Sequence, residues 1–253
     1  DVTRRLLIES KLFESHSNLN AIQYGSRLVV NRHRAKGGVA MANLSKREGR
    51  RREIAAAAQA VAARDGAEAA TLRAIAAEAG MAPNAVLYYY GSLAEITAAA
   101  VHASSARFLT RLSEAADTGM SPTVRLAAVI SAGTTAGLED DAFRILYEYW
   151  THSLRDAEHR RIQEELTRTQ QLIYERIIAD GTQAGEFFPV LEPAKIARTL
   201  VAQEDGLVMD VLAGTASSDD VLDLVASLAS ALLGLDRDTL LDHIISRNFS
   251  NAP

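Results

Sequence analysis

Residues 79–90 read AGMAPNAVLYYY, a glycine–proline turn followed by a short apolar segment and three consecutive tyrosines. Gly80 suits the end of one helix, and Pro83 suits the first turn of the next, where its missing N–H costs nothing. Neighbouring residues of a helix point about 100° apart, so the tyrosines at 88–90 cannot all be buried. The stretch therefore predicts a tight turn between two short helices, with at least one tyrosine on a surface that contacts another molecule.

Signals on both sides of this turn extend the pattern. SKRE at residues 45–48 fits a capping box, which predicts a first helix that begins at Ser45 and ends at Gly66. Thr71 can cap a short second helix that ends at the turn, and Gly91 ends the third helix. A helix followed by two short helices across a four-residue turn is the layout of a helix-turn-helix DNA-binding head.

The rest of the chain also favours helices. Ser92 and Glu95 form a second capping box, which predicts a fourth helix. Pro122 and Pro193 begin further helices, and SSDD at residues 217–220 caps a last, strongly apolar one. Since no segment alternates apolar and polar residues as a strand does, the sequence predicts an all-α fold.

The composition is that of a globular protein, with 48% hydrophobic and 23% charged residues, and it contains no cysteine. Disulfides, thiolate metal sites and a cysteine nucleophile are therefore excluded. No apolar run reaches the roughly 18 residues that a membrane span needs. We therefore expect a cytoplasmic protein with no membrane partner.

The net charge of −5 is distributed unevenly along the chain. Residues 1–40 carry 7 Lys or Arg against 3 Asp or Glu, and residues 41–111 carry 9 against 6. Residues 112–253 carry 11 against 23. This asymmetry is either chance surface variation or the sign that a polyanion such as DNA meets only the basic front of the chain.

The head resembles that of the tetracycline-repressor (TetR) family of bacterial regulators, through the stretch IAAAAQAVAARDGAEAATLRAIAAEAGMAPNAVLYYYGSLAEI. The matching features are Thr71, Ile75 with Ala76, Gly80, the tyrosines at 88–90 and Ser92. More weakly, GEFFPVLEPAKIARTLVAQEDGLVMDVLAG looks like the C-terminal domain of the family's choline-sensing (BetI-like) branch. The resemblance implies a homodimeric, all-helical repressor that binds a palindromic DNA operator and is released by a small molecule.

Basic and polar residues of the head are the expected DNA contacts. Lys and Arg at the start of the first helix would neutralise phosphates, while the N-terminal end of the third helix points at base edges. Asn84 can pair bidentately with a base there, most naturally adenine. The full set is Lys46, Arg47, Arg50, Arg51, Arg52, Thr71, Arg73, Pro83, Asn84, Ala85, Tyr88 and Tyr89. Tyr90 is expected in the core, and a solvated basic helix start is the plain alternative for the arginines.

Two positions depart from the family pattern. Leu93 stands where a phosphate-binding lysine is frequent, and Leu87 stands where a tyrosine is common. These departures move phosphate binding to the basic cluster and to the neighbouring tyrosines. They also keep open a different class of function, an interaction module whose head has lost DNA binding.

The acidic rear holds the candidate effector site. Phe143, Tyr147 and Trp150 recur at i, i+4 and i+7, which indicates either ordinary core packing or the wall of a ligand cavity. Glu204 interrupts an apolar helix and would need a partner if buried. Because ring faces and a buried carboxylate both favour positive charge, we expect an amine or other lipophilic cation as effector. A neutral or anionic hydrophobe is the alternative.

A second arrangement keeps a metal-binding protein or a helical enzyme open. Glu148, His152, Asp156 and His159 fall at i, i+4, i+8 and i+11, a spacing that places all four on one face of a continuous helix. A solvated helix face gives the same pattern. No Ser-His-Asp grouping, phosphate-binding loop or carboxylate pair supports catalysis, so we expect no enzyme, no cofactor and no bound metal.

These patterns divide the chain into four parts. Residues 1–44 are expected to be a disordered arm or a non-native extension, 45–92 the helix-turn-helix domain, 93–235 the ligand-binding and dimerisation domain, and 236–253 a tail. The helices near 193–213 and 218–235 are apolar enough to pair with their copies in a four-helix interface. The sequence thus predicts a ligand-responsive transcriptional regulator.

Overall fold

The computed structural model describes residues 34–116, 119–134 and 140–250. These residues form ten α-helices and two short 3-10 segments, Ala67–Ala69 and Trp150–Leu154, and they contain no strand. The helices are α1 (Arg34–Asp65), α2 (Leu72–Glu78), α3 (Pro83–Tyr89), α4 (Leu93–Ala116), α5 (Pro122–Gly133), α6 (Asp141–Glu148), α7 (Ala157–Ala184), α8 (Pro193–Leu212), α9 (Ser218–Leu233) and α10 (Arg237–Ser250). The all-α prediction is confirmed.

The first helix begins earlier than the sequence predicted. The chain divides into two units, residues 1–45 and 46–253, and the first contributes the beginning of α1. Since α1 runs from Arg34 through Ser45, the predicted capping box lies inside a helix and does not start one. The residues before it are rich in helix formers such as Ala, Lys and Met, and continuing a helix costs less than nucleating one. Most of the predicted arm, residues 1–33, lies outside the described residues.

Short-range signals form the head as predicted. The Thr71 hydroxyl accepts a hydrogen bond from the N–H three residues later, at 3.3 Å, and caps α2. Gly80 adopts a φ of 64° in the turn, and Pro83 begins α3. One fully buried side chain from each helix holds the three together: Ile54, Ile75 and Val86.

The fourth helix, α4, connects the head to the rest of the protein. The Ser92 hydroxyl accepts the Glu95 N–H at 3.2 Å, as predicted. The Glu95 carboxylate accepts the N–H of Gly91 at 3.1 Å, one residue before the expected partner. Because α4 also packs against α5, α6 and α7, the helix that follows α3 forms a wall of the main core as well.

The predicted tail is a helix that belongs to the core. Leu240 and Ile244 of α10 are fully buried, and α10 packs against α5 and α9. Their i, i+4 spacing forms one apolar stripe, which explains why this segment folds onto the body. No helix in the described part of the chain is long and apolar enough to cross a bilayer.

Candidate DNA interface and effector site

The third helix presents its N-terminal end to solvent. Pro83 and Asn84 are exposed, and Ala85 is half-buried, whereas Val86 is turned into the core. The N-terminal residues of the second helix in a helix-turn-helix face the base edges of DNA. Asn84 is therefore exposed at the helix end, as a contact with a base would require.

The tyrosines after this helix occupy different environments. Tyr88 is 75% exposed, whereas Tyr90 is 3% exposed, which confirms that Tyr90 is part of the core. Tyr89 is half-buried and meets the ring of Tyr88 edge-to-face, with 5.3 Å between the ring centroids. Leu87 and Leu93, the two departures from the family pattern, are 37% and 38% exposed.

Most of the predicted phosphate contacts lie on the surface. The exposed members are Lys46, Arg47, Arg50, Arg52, Thr71 and Arg73. Arg50 pairs with Glu53 on the same helix face, and the Thr71 hydroxyl is used as a helix cap. Their contacts with DNA stay a prediction.

Arg51 is placed differently from its neighbours. Its Nη1 donates a hydrogen bond to the Tyr89 carbonyl at 2.6 Å, and its guanidinium carbon lies 4.0 Å from the ring centroid of Tyr90. The Tyr90 hydroxyl in turn donates to the Arg51 carbonyl at 3.0 Å. Burial raises the pKa of that hydroxyl, and the Arg51 charge opposes the rise. These contacts connect α1 to the end of α3.

The aromatic stripe is continuous, although its helix ends early. Phe143 and Tyr147 are 5.2 Å apart between ring centroids, and Tyr147 stacks on Trp150 at 6.1 Å. Trp150 lies beyond the end of α6, in the second 3-10 segment. Phe143 and Tyr147 are buried, and Trp150 is half-buried. The stripe is thus core at one end and reaches the surface at Trp150.

Two carboxyl groups and two tyrosines meet beside this stripe, and we call them the acid cluster. Glu204 is 1% exposed and accepts a hydrogen bond from the Tyr174 hydroxyl, while Asp205 accepts one from the Tyr147 hydroxyl at 3.4 Å. Burial raises the pKa of Glu204 well above its usual range, with a further rise from Asp205, and the Tyr174 hydrogen bond opposes both. Burial also raises the pKa of Asp205 to about 6. Ionisation of this cluster is therefore unfavourable without a positive partner.

Sequence reasoning found part of the acid cluster and missed the rest. It selected Glu204 and Tyr147 but not Tyr174, and it assigned no binding role to Asp205. Tyr174 is fully buried in the apolar stripe of α7, between Leu166 and Ile178. A tyrosine in such a stripe must place its hydroxyl against an acceptor, and this was the signal available in the sequence.

One oxygen of Glu204 remains available for another partner. Its Oε2 is buried and has no hydrogen-bond partner among the described residues. A Cβ atom on Gly133 would lie 3.2 Å from this oxygen, so the glycine leaves the room that the carboxyl group occupies. A buried acceptor without a donor costs free energy, which a proton or a bound cation would recover.

A basic group lies near the other end of the stripe. The Arg111 guanidinium is 5.4 Å from the ring centroids of Phe108 and Phe143, and it pairs with Asp140 at 3.2 Å. Its Nε and Nη2 are buried and have no hydrogen-bond partner within residues 34–116, 119–134 and 140–250. Burial lowers the pKa of Arg111. The candidate effector region therefore contains both signs of charge.

The four residues of the metal-binding alternative do not lie on one continuous helix, so the shared helix face that their spacing predicted is wrong. Glu148 ends α6, His152 lies in the 3-10 segment, and Asp156 caps α7 ahead of His159. His159 Nδ1 lies 2.8 Å from Asp156 Oδ1, a local contact at the helix start. The break at residue 149 changes the angular spacing, so the helical periodicity does not continue through it. Among the described residues no group of three or more His, Asp or Glu side chains could hold a metal ion.

Glu148, the last residue of α6, contacts the helix-turn-helix head. Its carboxylate accepts the N–H of Ala67 at 3.2 Å, directly after Gly66, which ends the first helix with a φ of 87°. Tyr147, the residue before it, contacts Asp205 of the acid cluster. Two consecutive residues at the end of α6 thus contact the head and the candidate effector site.

We expect Glu148→Ala to lower the free energy of unfolding by about 1 kcal/mol, because the Ala67 N–H loses its acceptor. Glu148→Gln keeps a carbonyl oxygen at the same reach and should cost less than half as much. Urea unfolding of both variants measures the difference. An unchanged free energy of unfolding in Glu148→Ala would mean that the contact contributes nothing to stability.

Two family models match the chain. The one described as "Bacterial regulatory proteins, tetR family" matches residues 54–100, and the one described as "BetI-type transcriptional repressor, C-terminal" matches residues 122–234. A relative, the uncharacterized HTH-type transcriptional regulator YfiR of Bacillus subtilis (strain 168), is 26% identical over 181 residues. That match covers 70% of this chain and 87% of the relative.

Solved structures share the fold at low identity. A transcriptional regulator of Rhodococcus sp. Rha1 has a TM-score of 0.63 at 21% identity, over 74% of this chain and 98% of that one. A transcriptional regulator of Saccharomonospora viridis in complex with choline has a TM-score of 0.61 at 22%, over 79% and 96%. SmeT, the repressor of the Stenotrophomonas maltophilia multidrug efflux pump SmeDEF, has a TM-score of 0.58 at 23%, over 72% and 89%. These likenesses establish the fold, and the two family models establish the kind of protein.

Proposed function

Because the chain belongs to the TetR family of bacterial transcriptional regulators, we propose that it is a repressor which a small-molecule effector releases from its DNA operator. The observation that carries DNA binding is the exposed N-terminal end of α3, with Asn84 on it. The exposed basic residues at the start of the head support it, since they can neutralise phosphates without regard to sequence.

Selection of bound sequences from random DNA, followed by gel shifts on the recovered sequence, tests this function. A palindrome whose half-sites are about 10 base pairs apart is the expected result, because each head of a dimer reads one half-site. If the protein retains no duplex even at low salt, the result favours the alternative function, an interaction module whose head no longer binds DNA. The exposed apolar side chains of Leu87 and Leu93 favour that alternative.

We expect Asn84→Ala to weaken operator binding by roughly 1–3 kcal/mol, concentrated at one base position in each half-site. The loss is local because the amide side chain reads a single base edge. Competition gel shifts against operators mutated one position at a time measure it. Should Asn84→Ala leave the sequence preference unchanged, α3 would not be the recognition helix.

We assign dimerisation to α8 and α9. Met209 and Leu224, one on each helix, are 47% and 48% exposed, although the opposite faces of both helices are buried. Exposed apolar side chains on neighbouring helices are typical of a subunit interface. Light scattering on the purified protein measures its mass, and a monomer at micromolar concentration would contradict the assignment.

We propose that the effector is an amine or other lipophilic cation, bound at the acid cluster. The available Oε2 of Glu204 and the neighbouring Asp205 would both gain from a positive charge. The stacked rings of Tyr147 and Trp150 lie beside the cluster, and a cation over such a ring gains roughly 0.5–2 kcal/mol. The Saccharomonospora viridis regulator, which shares the fold, is in complex with choline.

Arg111 favours a second candidate, an acidic hydrophobe. Its two unpaired nitrogens lie beside Phe143, at the opposite end of the aromatic stripe from Trp150. A matched series of octyltrimethylammonium, octanoate and octanol separates the candidates, since the three have alkyl chains of nearly equal length and differ in charge. Ligands that bind the native state raise its melting temperature. Stabilisation by octanoate and not by the ammonium would exclude the cation.

A further inference from the structure

The end of the recognition helix is held by one side chain from α1. The last carbonyls of any helix have no partner within it, and α3 ends at Tyr89. Arg51 Nη1 donates to the Tyr89 carbonyl at 2.6 Å. Arginine at this place both supplies a donor and puts positive charge at the negative end of the helix.

Tyr90, the residue directly after α3, also contacts Arg51. The Arg51 guanidinium carbon lies 4.0 Å from the ring centroid of the buried Tyr90, and the Tyr90 hydroxyl donates to the Arg51 carbonyl at 3.0 Å. One residue of α1 thus makes three separate contacts with residues 89 and 90. Arg52, the next residue along the chain, is solvent-exposed, as a side chain that reaches for a phosphate must be.

We infer that Arg51 is a positioning residue, which fixes the C-terminal end of α3 and thereby the angle at which Asn84 meets a base. The inference rests on the proposed DNA binding and changes the role that the sequence suggested for Arg51, a phosphate contact. A phosphate contact contributes charge, which raises the affinity for any duplex, and added salt weakens that part of the affinity. A positioning residue fixes the orientation of the recognition helix. Its loss should lower the affinity for the operator and change the affinity for an unrelated duplex little.

The test compares Arg51→Ala with Arg52→Ala, since each removes one positive charge from α1. Affinities for the selected operator and for an unrelated duplex are measured between about 50 and 200 mM salt. For Arg51→Ala we expect operator binding at least ~10-fold weaker, binding to the unrelated duplex nearly unchanged, and a salt slope within about 0.3 of the parent's. For Arg52→Ala both duplexes weaken together and the slope falls by about 1. A slope lowered by about 1 in Arg51→Ala, with equal losses on both duplexes, overturns the inference.

Arg51→Lys adds a rescue test, because lysine keeps the charge but lacks the planar fork that serves ring and carbonyl together. It should leave the salt slope and binding to the unrelated duplex at the parent's values, as Arg51→Ala does, and it should not restore operator preference. Full recovery of the operator preference by lysine would mean that charge alone is needed. The melting temperature of each variant is measured first, so that affinities are compared only where the protein is folded.

Hydrogen exchange without DNA distinguishes failure of this inference from failure of the proposed function. The Tyr90 N–H is bonded to the Val86 carbonyl at 3.1 Å, at the end that Arg51 holds. Its exchange should quicken in Arg51→Ala and stay unchanged in Arg52→Ala. Unchanged exchange in Arg51→Ala overturns the positioning role whatever the DNA results. If the parent protein binds no DNA, the proposed function fails, and the sequence-reading role of Arg51 fails with it.

Discussion

Glu204→Gln is expected to remove most of the stabilisation that octyltrimethylammonium gives the parent protein. Glutamine keeps the shape and an acceptor for the Tyr174 hydroxyl but cannot carry the charge that attracts a cation. Losing one partner of a buried charge pair costs roughly 2–5 kcal/mol, so affinity should fall at least ~30-fold. Melting temperature against ligand concentration measures the loss.

Asp210→Asn is the matched control for this substitution, because Asp210 lies on the same helix and is exposed. It removes one negative charge from the same region without touching the acid cluster, and its ammonium response should equal the parent's. An undiminished response in Glu204→Gln, and also in Trp150→Ala, would exclude the cation site.

The same carboxyl groups predict how stability depends on pH. Burial raises the pKa of Glu204 well above its usual range and that of Asp205 to about 6, so each binds its proton more tightly folded than unfolded. Their stabilisation is complete below the unfolded pKa near 4 and is lost as pH rises through the folded values. Without ligand, the free energy of unfolding of Glu204→Gln should therefore rise relative to the parent's over the pH interval above about 4. Ammonium binding to the parent should strengthen over that interval, because it requires the ionised carboxylate. A pH-independent difference between variant and parent would contradict both statements.

Gly181→Ala is expected to lower the free energy of unfolding by about 3 kcal/mol, and the melting temperature by roughly 6–12 °C. A Cβ atom at this position would lie 2.2 Å from Phe187 Cδ2 and 2.4 Å from Cε2. The ring of Phe187 is 1% exposed, and its backbone N–H is bonded to the Gly181 carbonyl at 3.1 Å. Neither the ring nor the chain that carries it has room to move away, so the overlap must strain the core.

Gly49→Ala is the control for Gly181→Ala, since both glycines lie inside helices. A Cβ added at Gly49 would have no atom within 4 Å other than those of Gly49, its two chain neighbours and the adjacent helix backbone. Alanine there should stabilise the protein by about 0.5–1 kcal/mol through its higher helix propensity. Thermal unfolding compares the two substitutions directly, and the same small gain at both positions would show that Phe187 does not pack on Gly181.

The local signals of the sequence were reliable where they act over three or four residues. Thr71, Pro83, Ser92 and Ser217 cap or begin helices as predicted, because a cap binds backbone groups within its own first turn. Such signals also have a limit that Ser45 shows: the preceding residues continue the helix, and the same capping motif then lies in its interior. The helix-turn-helix, the all-α class and the family followed from these short-range patterns.

Gly181 and Gly185 show what a local pattern leaves open. Both lie near the end of the long helix α7, and their local sequence does not distinguish them. Gly185 ends the helix with a φ of 74°, whereas Gly181 lies inside it and makes room for a ring six residues later. The role of Gly185 requires only a positive φ at one residue. The role of Gly181 depends on where the chain places the Phe187 ring after the helix has ended.

Contacts between distant residues were decided by the tertiary structure alone. Arg51 meets Tyr89 38 positions later, Tyr174 meets Glu204 30 positions later, and Glu148 meets Ala67 81 positions earlier. In the sequence Arg51 is one of several equivalent basic residues, and Glu148 is one of four acidic or histidine residues at i, i+4, i+8 and i+11. A side chain reaches only a few ångströms from its backbone. The packing of whole helices therefore decides whether a given side chain faces solvent, the end of another helix or a buried carboxyl group. The sequence by itself therefore determined the all-α class, the helix-turn-helix and the family, and packing selected the partner of each charged side chain.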